Sequence, residues 1–179
     1  AARAGGAAAG VAALAVAACF VAPAWSPTLM SAGVFRPSAL AYVEGSARAG
    51  RGSIVRRAMA REQVLLYREG LNGSVLVTLD TLANNVALRI GGKVDASGTD
   101  MLTQELSGLL PGALADSGAR TLVIGQGSGV TLSALLATGA GRTDLVEIER
   151  AVLDGSRFFH EPGRDPLADP RVHVIVEDG

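Results

Sequence analysis

The sequence predicts an α/β protein with an N-terminal apolar helix, a small antiparallel β domain and the beginning of a parallel strand–helix domain. Three observations support this fold class. Residues 4–35 carry no charged side chain, residues 64–94 hold three short β-rich runs, and residues 121–138 read as strand, glycine loop and helix. Hydrophobic residues make up 49% of the 179, which excludes a disordered chain. One cysteine, Cys19, excludes an internal disulfide and a cysteine-based zinc site, and two histidines give no basis for a His-rich metal site.

Residues 1–35 are expected to form a transmembrane segment. About 20 apolar residues can span a bilayer as a helix, and residues 7–25 are nearly all Ala, Val, Leu and Phe, with Trp25 suited to the membrane interface. Two alternatives stay open. Ala22-Pro23-Ala24 imitates the cleavage site of a secretory signal, and the run also fits a buried Ala-rich helix.

The rest of the chain consists of a basic part followed by an acidic part. Residues 36–69 carry seven Arg and three Glu, a net charge of +4, whereas residues 70–179 carry eight basic and fourteen acidic residues, a net charge of −6. We therefore assign a basic linker to 36–63, the β domain to 64–98 and an acidic α/β domain to 99–179. An acidic domain is a poor nucleic-acid binder and suits a cationic substrate, although an ordinary solvated surface has the same composition.

Three strands are predicted in the β domain, at residues 64–70, 74–79 and 86–90. Asn84 and Asn85 form a turn before the third strand, because Asn tolerates positive φ. Gly91 and Gly92 are expected to end that strand. A helix over residues 100–110 follows from the spacing of its apolar side chains, with Thr99 or Asp100 as its cap and Pro111 at its end.

A short apolar strand, Thr121–Ile124, leads directly into the sequence Gly125-Gln126-Gly127-Ser128-Gly129 and then into a helix-like stretch. This order suits a nucleotide, since glycines let the backbone approach a ligand and the helix N-terminus offers unpaired N–H groups. The spacing is G-x-G-x-G, because residue 130 is Val, which differs from the spacing of NAD sites. A tight turn without a ligand is the alternative.

Glu147 follows the next apolar strand, about 20 residues after the loop, where a βαβ unit places a carboxylate on the ribose hydroxyls. A surface Glu at a strand end is the alternative. A third strand, 172–176, precedes Glu177 and Asp178, which therefore lie at the ligand-binding edge of the sheet. Three parallel strands are few for such a domain, so we expect its second half beyond Gly179.

Nine segments carry a resemblance to a known family: 31–35, 67–70, 91–97, 100–101, 110–111, 124–131, 147–149, 157–159 and 169–179. In their order and spacing they resemble the spermidine synthases, or polyamine aminopropyltransferases, in particular bacterial members with membrane helices before the catalytic domain. The resemblance implies a β domain on the first half of a Rossmann-like domain of the S-adenosylmethionine methyltransferase type. It also implies a location at the bacterial inner membrane with the α/β domain cytoplasmic, or a cytoplasmic protein as the alternative.

This family transfers an aminopropyl group from decarboxylated S-adenosylmethionine, a co-substrate rather than a prosthetic group, to a polyamine such as putrescine. The resemblance implies a possible homodimer, no metal, and a catalytic Asp after Gly179, outside this chain. It assigns donor binding to nine residues, with Glu147 on the ribose and Asp178 near the adenine amine: Gly125, Gln126, Gly127, Ser128, Gly129, Glu147, Ile148, Glu177 and Asp178. The acceptor entrance is assigned to Asp95, Asp100 and Gln104, and a helix cap together with a surface carboxylate is the alternative for the two aspartates.

The chain departs from the family's pattern at three places. Typical members have Asp at the position of Ser128, Gln near Asp95, and a Tyr-His pair near Gln104 and Glu105. These residues touch donor and acceptor, so three functions stay open. They are aminopropyl transfer by the full-length protein, with this fragment inactive; another S-adenosylmethionine-dependent transfer, such as methylation; and non-catalytic binding of a nucleoside or polyamine.

Overall fold

The computed structural model describes residues 2–21, 26, 27, 31 and 60–179. Four strands form an antiparallel sheet in chain order: β1 (Glu62–Glu69), β2 (Ser74–Asp80), β3 (Asn85–Ile90) and β4 (Lys93–Ser97). Three strands form a parallel sheet in the order β5 (Thr121–Ile124), β6 (Thr143–Val146) and β7 (Val172–Ile175). The α-helices of the described residues are α1 (Ala2–Val21), α2 (Met101–Leu114), α3 (Val130–Ala137) and α4 (Arg150–Ser156).

The antiparallel sheet shares its core with a helix of the parallel unit. Val77 of β2 and Leu88 of β3 are fully buried, and they belong to one cluster with Ala151 and Val152 of α4. Gly155 allows the close approach, since an added Cβ would lie 2.9 Å from Val77 Cγ2. The helix after β6 therefore covers the antiparallel sheet, which places the β domain beside the carboxyl end of β6.

A second core lies between β5, β6 and α3. Val123, Leu132 and Leu145 are its central members, each with an exposed fraction of 9% or less. On the other face of β5, Leu122 and Ile124 are exposed to 59% and 66%. Because β5 pairs only with β6 in the described part of the chain, its other edge is open.

Strand β4 is absent from the sequence prediction, in which Gly91 and Gly92 end the third and last predicted strand of the β domain. Both glycines have positive φ, 53° and 78°, and they form the two-residue turn of a hairpin between β3 and β4. Glycine pairs favour this kind of turn because both of its central residues need φ > 0. The pair therefore reverses the chain and does not end the sheet.

Helix α2 is longer than predicted. It continues through Pro111 to Leu114, and the Ala115 N–H donates to the Pro111 carbonyl at 3.1 Å. Because proline lacks an N–H, it costs one helical hydrogen bond. Because Gly108 and Gly112 have no side chains, the backbone of α2 packs closely against α3 at these two positions.

The prediction of a transmembrane helix in residues 1–35 is wrong. Residues 2–21 do form a helix, α1, but no helix in the described ranges has both the length and the apolar character that crossing a membrane requires. Most residues of α1 are Ala or Gly, whose side chains contribute little apolar surface. Trp25 and residues 36–59 of the predicted basic linker lie outside the described residues.

Substituting Gly108→Ala tests the contact between α2 and α3. The added Cβ would overlap the Thr131 carbonyl oxygen and lie 2.8 Å from Leu135 N. Although alanine favours a helix by about 1 kcal/mol, overpacking typically costs about 1–3 kcal/mol, so we expect a net loss in the free energy of unfolding measured with urea. Gly10→Ala is the matched control, because among the described residues nothing beyond the adjoining part of its own helix lies within 4 Å of the added Cβ. Equal effects of the two changes would contradict the packing explanation.

Candidate functional site

The loop between β5 and α3 depends on glycine. Gly125, Gly127 and Gly129 have φ values of 84°, 52° and 81°, in the left-handed region that other residues rarely adopt. The space at Gly129 is also filled, since an added Cβ would lie 2.6 Å from Gln126 Nε2 and 2.7 Å from His160 Nε2. The loop is therefore fixed both by its backbone and by its neighbours, and it leads into the N-terminus of α3.

Glu147, the first residue after β6, lies beside this loop. Its side chain is buried, with 6% exposed, and Glu147 Oε2 accepts a hydrogen bond of 2.8 Å from the Gln126 N–H. Its Oε1 accepts one of 2.9 Å from the Glu149 N–H. A carboxylate has about four acceptor positions, and these two hydrogen bonds occupy two of them. The structure thus brings two of the predicted donor-binding residues, Gln126 and Glu147, into direct contact.

Ser128 contacts Gln104, which the sequence analysis assigned to the acceptor entrance. Ser128 is 2% exposed, and its hydroxyl donates to Gln104 Oε1 and accepts from the Val130 N–H at 3.1 Å. Gln104 Nε2 donates to the Ser97 carbonyl at 3.2 Å, and the Thr131 hydroxyl donates to the Gln104 carbonyl at 2.9 Å. Gln104 therefore connects the end of β4, the glycine loop and α3, and both members of the pair are uncharged.

The other predicted site residues are less closely connected. Asp95 pairs with Lys93 on its own strand, so its charge is balanced locally. Asp100 is exposed and occupies the N-cap position of α2 without a side-chain capping hydrogen bond. Ile148 is about half exposed. The remaining two are exposed and follow β7 at the carboxyl edge of the parallel sheet: Glu177 and Asp178.

Four residues that contact predicted site residues are not themselves among the site residues predicted from the sequence. His160 Nε2 lies 2.8 Å from the Ser128 carbonyl, and Gln126 Nε2 donates to the Ser156 hydroxyl at 3.2 Å. Glu149 caps α4 and, with Asn72, joins the two sheets. Asn72 before Gly73 was a detectable turn signal between two strands, whereas Glu is not a typical N-cap residue. Within the described ranges, no three His, Cys, Asp or Glu side chains could together hold a metal ion.

A separate open groove of about 410 Å³ runs between α3 and residues 163–171. Arg171 borders it and donates to the carbonyls of Leu136 and Ala140 at the end of α3, at 3.2 and 2.9 Å. The Arg171 guanidinium also donates to both carboxylate oxygens of Asp169. Mainly through this side-chain bond, and then through the Arg171 N–H, the pKa of Asp169 is lowered to about 2.

The lowered pKa of Asp169 predicts an acid-dependent loss of stability. Because the folded-state pKa of about 2 is below the ordinary 3.8, the stabilisation is complete above about pH 4 and disappears as the pH falls to about 2. Asp169→Asn should be less stable than the wild type at neutral pH and equally stable near pH 2, as measured by denaturant unfolding across this range. The exposed Asp154→Asn is the control, and a constant difference between wild type and Asp169→Asn at every pH would contradict the explanation.

The contact between Ser128 and Gln104 predicts the effect of Ser128→Ala. The Val130 N–H and Gln104 Oε1 would each lose a partner, and an unpaired buried polar group costs about 1–3 kcal/mol. We expect a loss of this size in the free energy of unfolding measured with urea. Ser107→Ala removes an exposed hydroxyl that bonds only to the Thr103 carbonyl of its own helix, and should change stability by less than about 0.5 kcal/mol. A loss no larger than that of the control would show that the buried pair is not stabilising.

No protein-family model matches the chain, and no curated protein matches it in sequence. Among solved structures, the chain is similar to a spermidine synthase in complex with the transition-state analogue AdoDATO and to the spermidine synthase from Thermotoga maritima. Each has 18% sequence identity and a TM-score of 0.57, over 65% of this chain and 41% or 40% of the enzyme's chain. This chain therefore spans about two fifths of the length of these enzymes, and over the matched 65% its fold is similar to theirs.

Proposed function

We propose that this chain carries the donor-binding part of a transferase that moves an aminopropyl group from decarboxylated S-adenosylmethionine to a polyamine such as putrescine. The observation that carries the proposal is the buried Glu147 carboxylate, held by the Gln126 and Glu149 N–H groups beside the glycine loop. The spermidine synthase-like fold supports the same activity. Since the chain spans about two fifths of those enzymes, the activity is proposed for the whole protein.

Within this chain we assign binding roles. Glu147 accepts hydrogen bonds from the ribose hydroxyls through the acceptor positions that its two N–H partners leave open. The positive φ values of Gly125, Gly127 and Gly129 allow the backbone to pass close to the donor. Asp178, just after β7, takes the adenine amine, with Glu177 and Ile148 beside it.

Aminopropyl transfer requires the protein to align the donor with the acceptor more than it requires activation of the donor. The sulfonium is already a good leaving group, so the protein holds the reacting carbon in line with the acceptor nitrogen. A C–N bond forms as the C–S bond breaks, the neutral thioether leaves, and the nitrogen loses a proton to a base. The amine attacks only in its neutral form, which a nearby base and partial desolvation favour. We place the acceptor near Asp95, Asp100 and Gln104.

One contact favours a second candidate, a methyltransferase that uses S-adenosylmethionine itself. Ser128 and Gln104 are uncharged, and each satisfies the other's hydrogen bond. The pair therefore supplies no negative charge to the ammonium group at the end of a decarboxylated donor. A donor that carries both an ammonium and a carboxylate depends less on such a charge.

Calorimetric titration of the whole chain tests these roles. We expect decarboxylated S-adenosylmethionine to bind more tightly than S-adenosylmethionine. Glu147→Gln should weaken binding at least about tenfold, because it replaces an acceptor oxygen by an amide N–H₂ and removes the charge. Glu161→Gln is the control, since this exposed carboxylate pairs with the Arg164 side chain.

The other outcomes of this titration are equally informative. Preference for S-adenosylmethionine would favour the methyltransferase. Binding that is unaffected by Glu147→Gln would place the donor elsewhere. Binding of neither compound would mean that the glycine loop has a structural role only, and the proposed function would be wrong.

A further inference from the structure

We propose that Glu149 is a positioning residue for Glu147: it holds the β1–β2 turn, residues 70–73, against the carboxyl end of β6 and thereby fixes the Glu147 carboxylate. Glu149 has no assigned contact with a ligand. The inference rests on the proposed function only for the identity of the group that Glu147 binds.

The contacts of Glu149 join the two sheets. Its side chain is buried, with 7% exposed, and Glu149 Oε2 accepts a hydrogen bond of 3.2 Å from the Asn72 N–H. Glu149 Oε1 accepts from the Ala151 N–H at 3.4 Å, which caps α4. Asn72 Nδ2 lies 3.5 Å from the Ile148 carbonyl and adds a second link between the turn and the strand end.

These contacts continue directly to the candidate site. The Glu149 N–H donates to Glu147 Oε1, and the Gln126 N–H donates to Glu147 Oε2. One series of hydrogen bonds therefore runs from the Asn72 N–H through Glu149 and Glu147 to the glycine loop. A displacement of Glu149 changes the position of the N–H that orients Glu147.

Because the Glu147 and Glu149 side chains are buried, their carboxylates depend on correctly placed hydrogen-bond donors. Glu147 and Glu149 are both more than nine-tenths buried, and neither takes part in an ion pair among the described residues. Removing a carboxylate from water is costly unless hydrogen bonds replace the lost hydration. Backbone N–H groups supply that replacement here, and the one from Asn72 belongs to the other sheet.

Gly70 shows how closely the turn and Glu149 fit. A Cβ added to Gly70 would overlap both carboxylate oxygens of Glu149. The φ of Gly70 is not among the positive values, so its backbone accepts other residues. Space taken by Glu149 therefore excludes a side chain at position 70, and this gives a way to disturb the contact from the side of the turn.

The test compares Gly70→Ala, Glu149→Ala and the double variant with the control Asp154→Ala, which removes an exposed carboxylate from the same helix. The readouts are the Gln126 amide resonance in NMR spectra, the dissociation constant of the probe 5′-methylthioadenosine, and the melting temperature. Each single change should shift the Gln126 resonance and weaken probe binding about tenfold. The double variant should resemble Glu149→Ala, because the added methyl group then occupies the space that the carboxylate leaves.

A lower melting temperature with an unchanged Gln126 resonance would overturn the proposal, since Glu149 would then stabilise the fold without positioning Glu147. Additive effects of Gly70→Ala and Glu149→Ala would overturn it as well. Should Glu149→Ala not fold, Gly70→Ala and the milder Glu149→Gln decide by the same readouts. If the wild type does not bind the probe, the proposed function fails, and the Gln126 resonance alone still decides the positioning role.

Discussion

The Glu147 carboxylate accepts hydrogen bonds from two backbone N–H groups, one in the loop after β5 and one at Glu149, the residue that caps α4. The arrangement of the site follows from this interaction, because it connects the carboxyl ends of two neighbouring parallel strands. A buried carboxylate is stable only where donors are already in place. The two donors come from the glycine loop and from the residue that caps α4, so the buried carboxylate joins these two segments.

Close packing at glycine residues holds in place the helices around the glycine loop. Gly108 and Gly112 bring α2 against α3, and Gly155 brings α4 against the antiparallel sheet. Small residues at these places position the helices whose ends surround the loop. The side chain of Gln104 in α2 then accepts a hydrogen bond from the Ser128 hydroxyl and donates one to the Ser97 carbonyl at the end of β4. The β domain and the parallel unit are consequently joined by both apolar and polar contacts around one loop.

The sequence predicts features that depend on neighbours along the chain. Short β-rich runs locate β1 to β3, and the order of strand, glycines and helix locates the loop. It does not predict β4, because a glycine pair is compatible with both an end and a reversal of a strand. The sequence also does not predict contacts between residues that are far apart along the chain. Ser128 contacts Gln104 across 24 positions, and Asn72 contacts Glu149 across 77. The apolar character of residues 1–35 wrongly predicts a transmembrane helix, because most residues of α1 are alanine or glycine and contribute little apolar surface.

The open edge of β5 has a consequence for handling this chain. Its backbone N–H and C=O groups are unpaired on one side in the described residues, and Leu122 and Ile124 lie exposed beside them. A strand with these properties is a template for pairing with another extended segment. Two copies that meet along β5 would satisfy their backbone groups and cover apolar side chains at once. A polypeptide that consists of these 179 residues alone therefore presents, in the strand that leads into the glycine loop, an edge that another extended segment can cover.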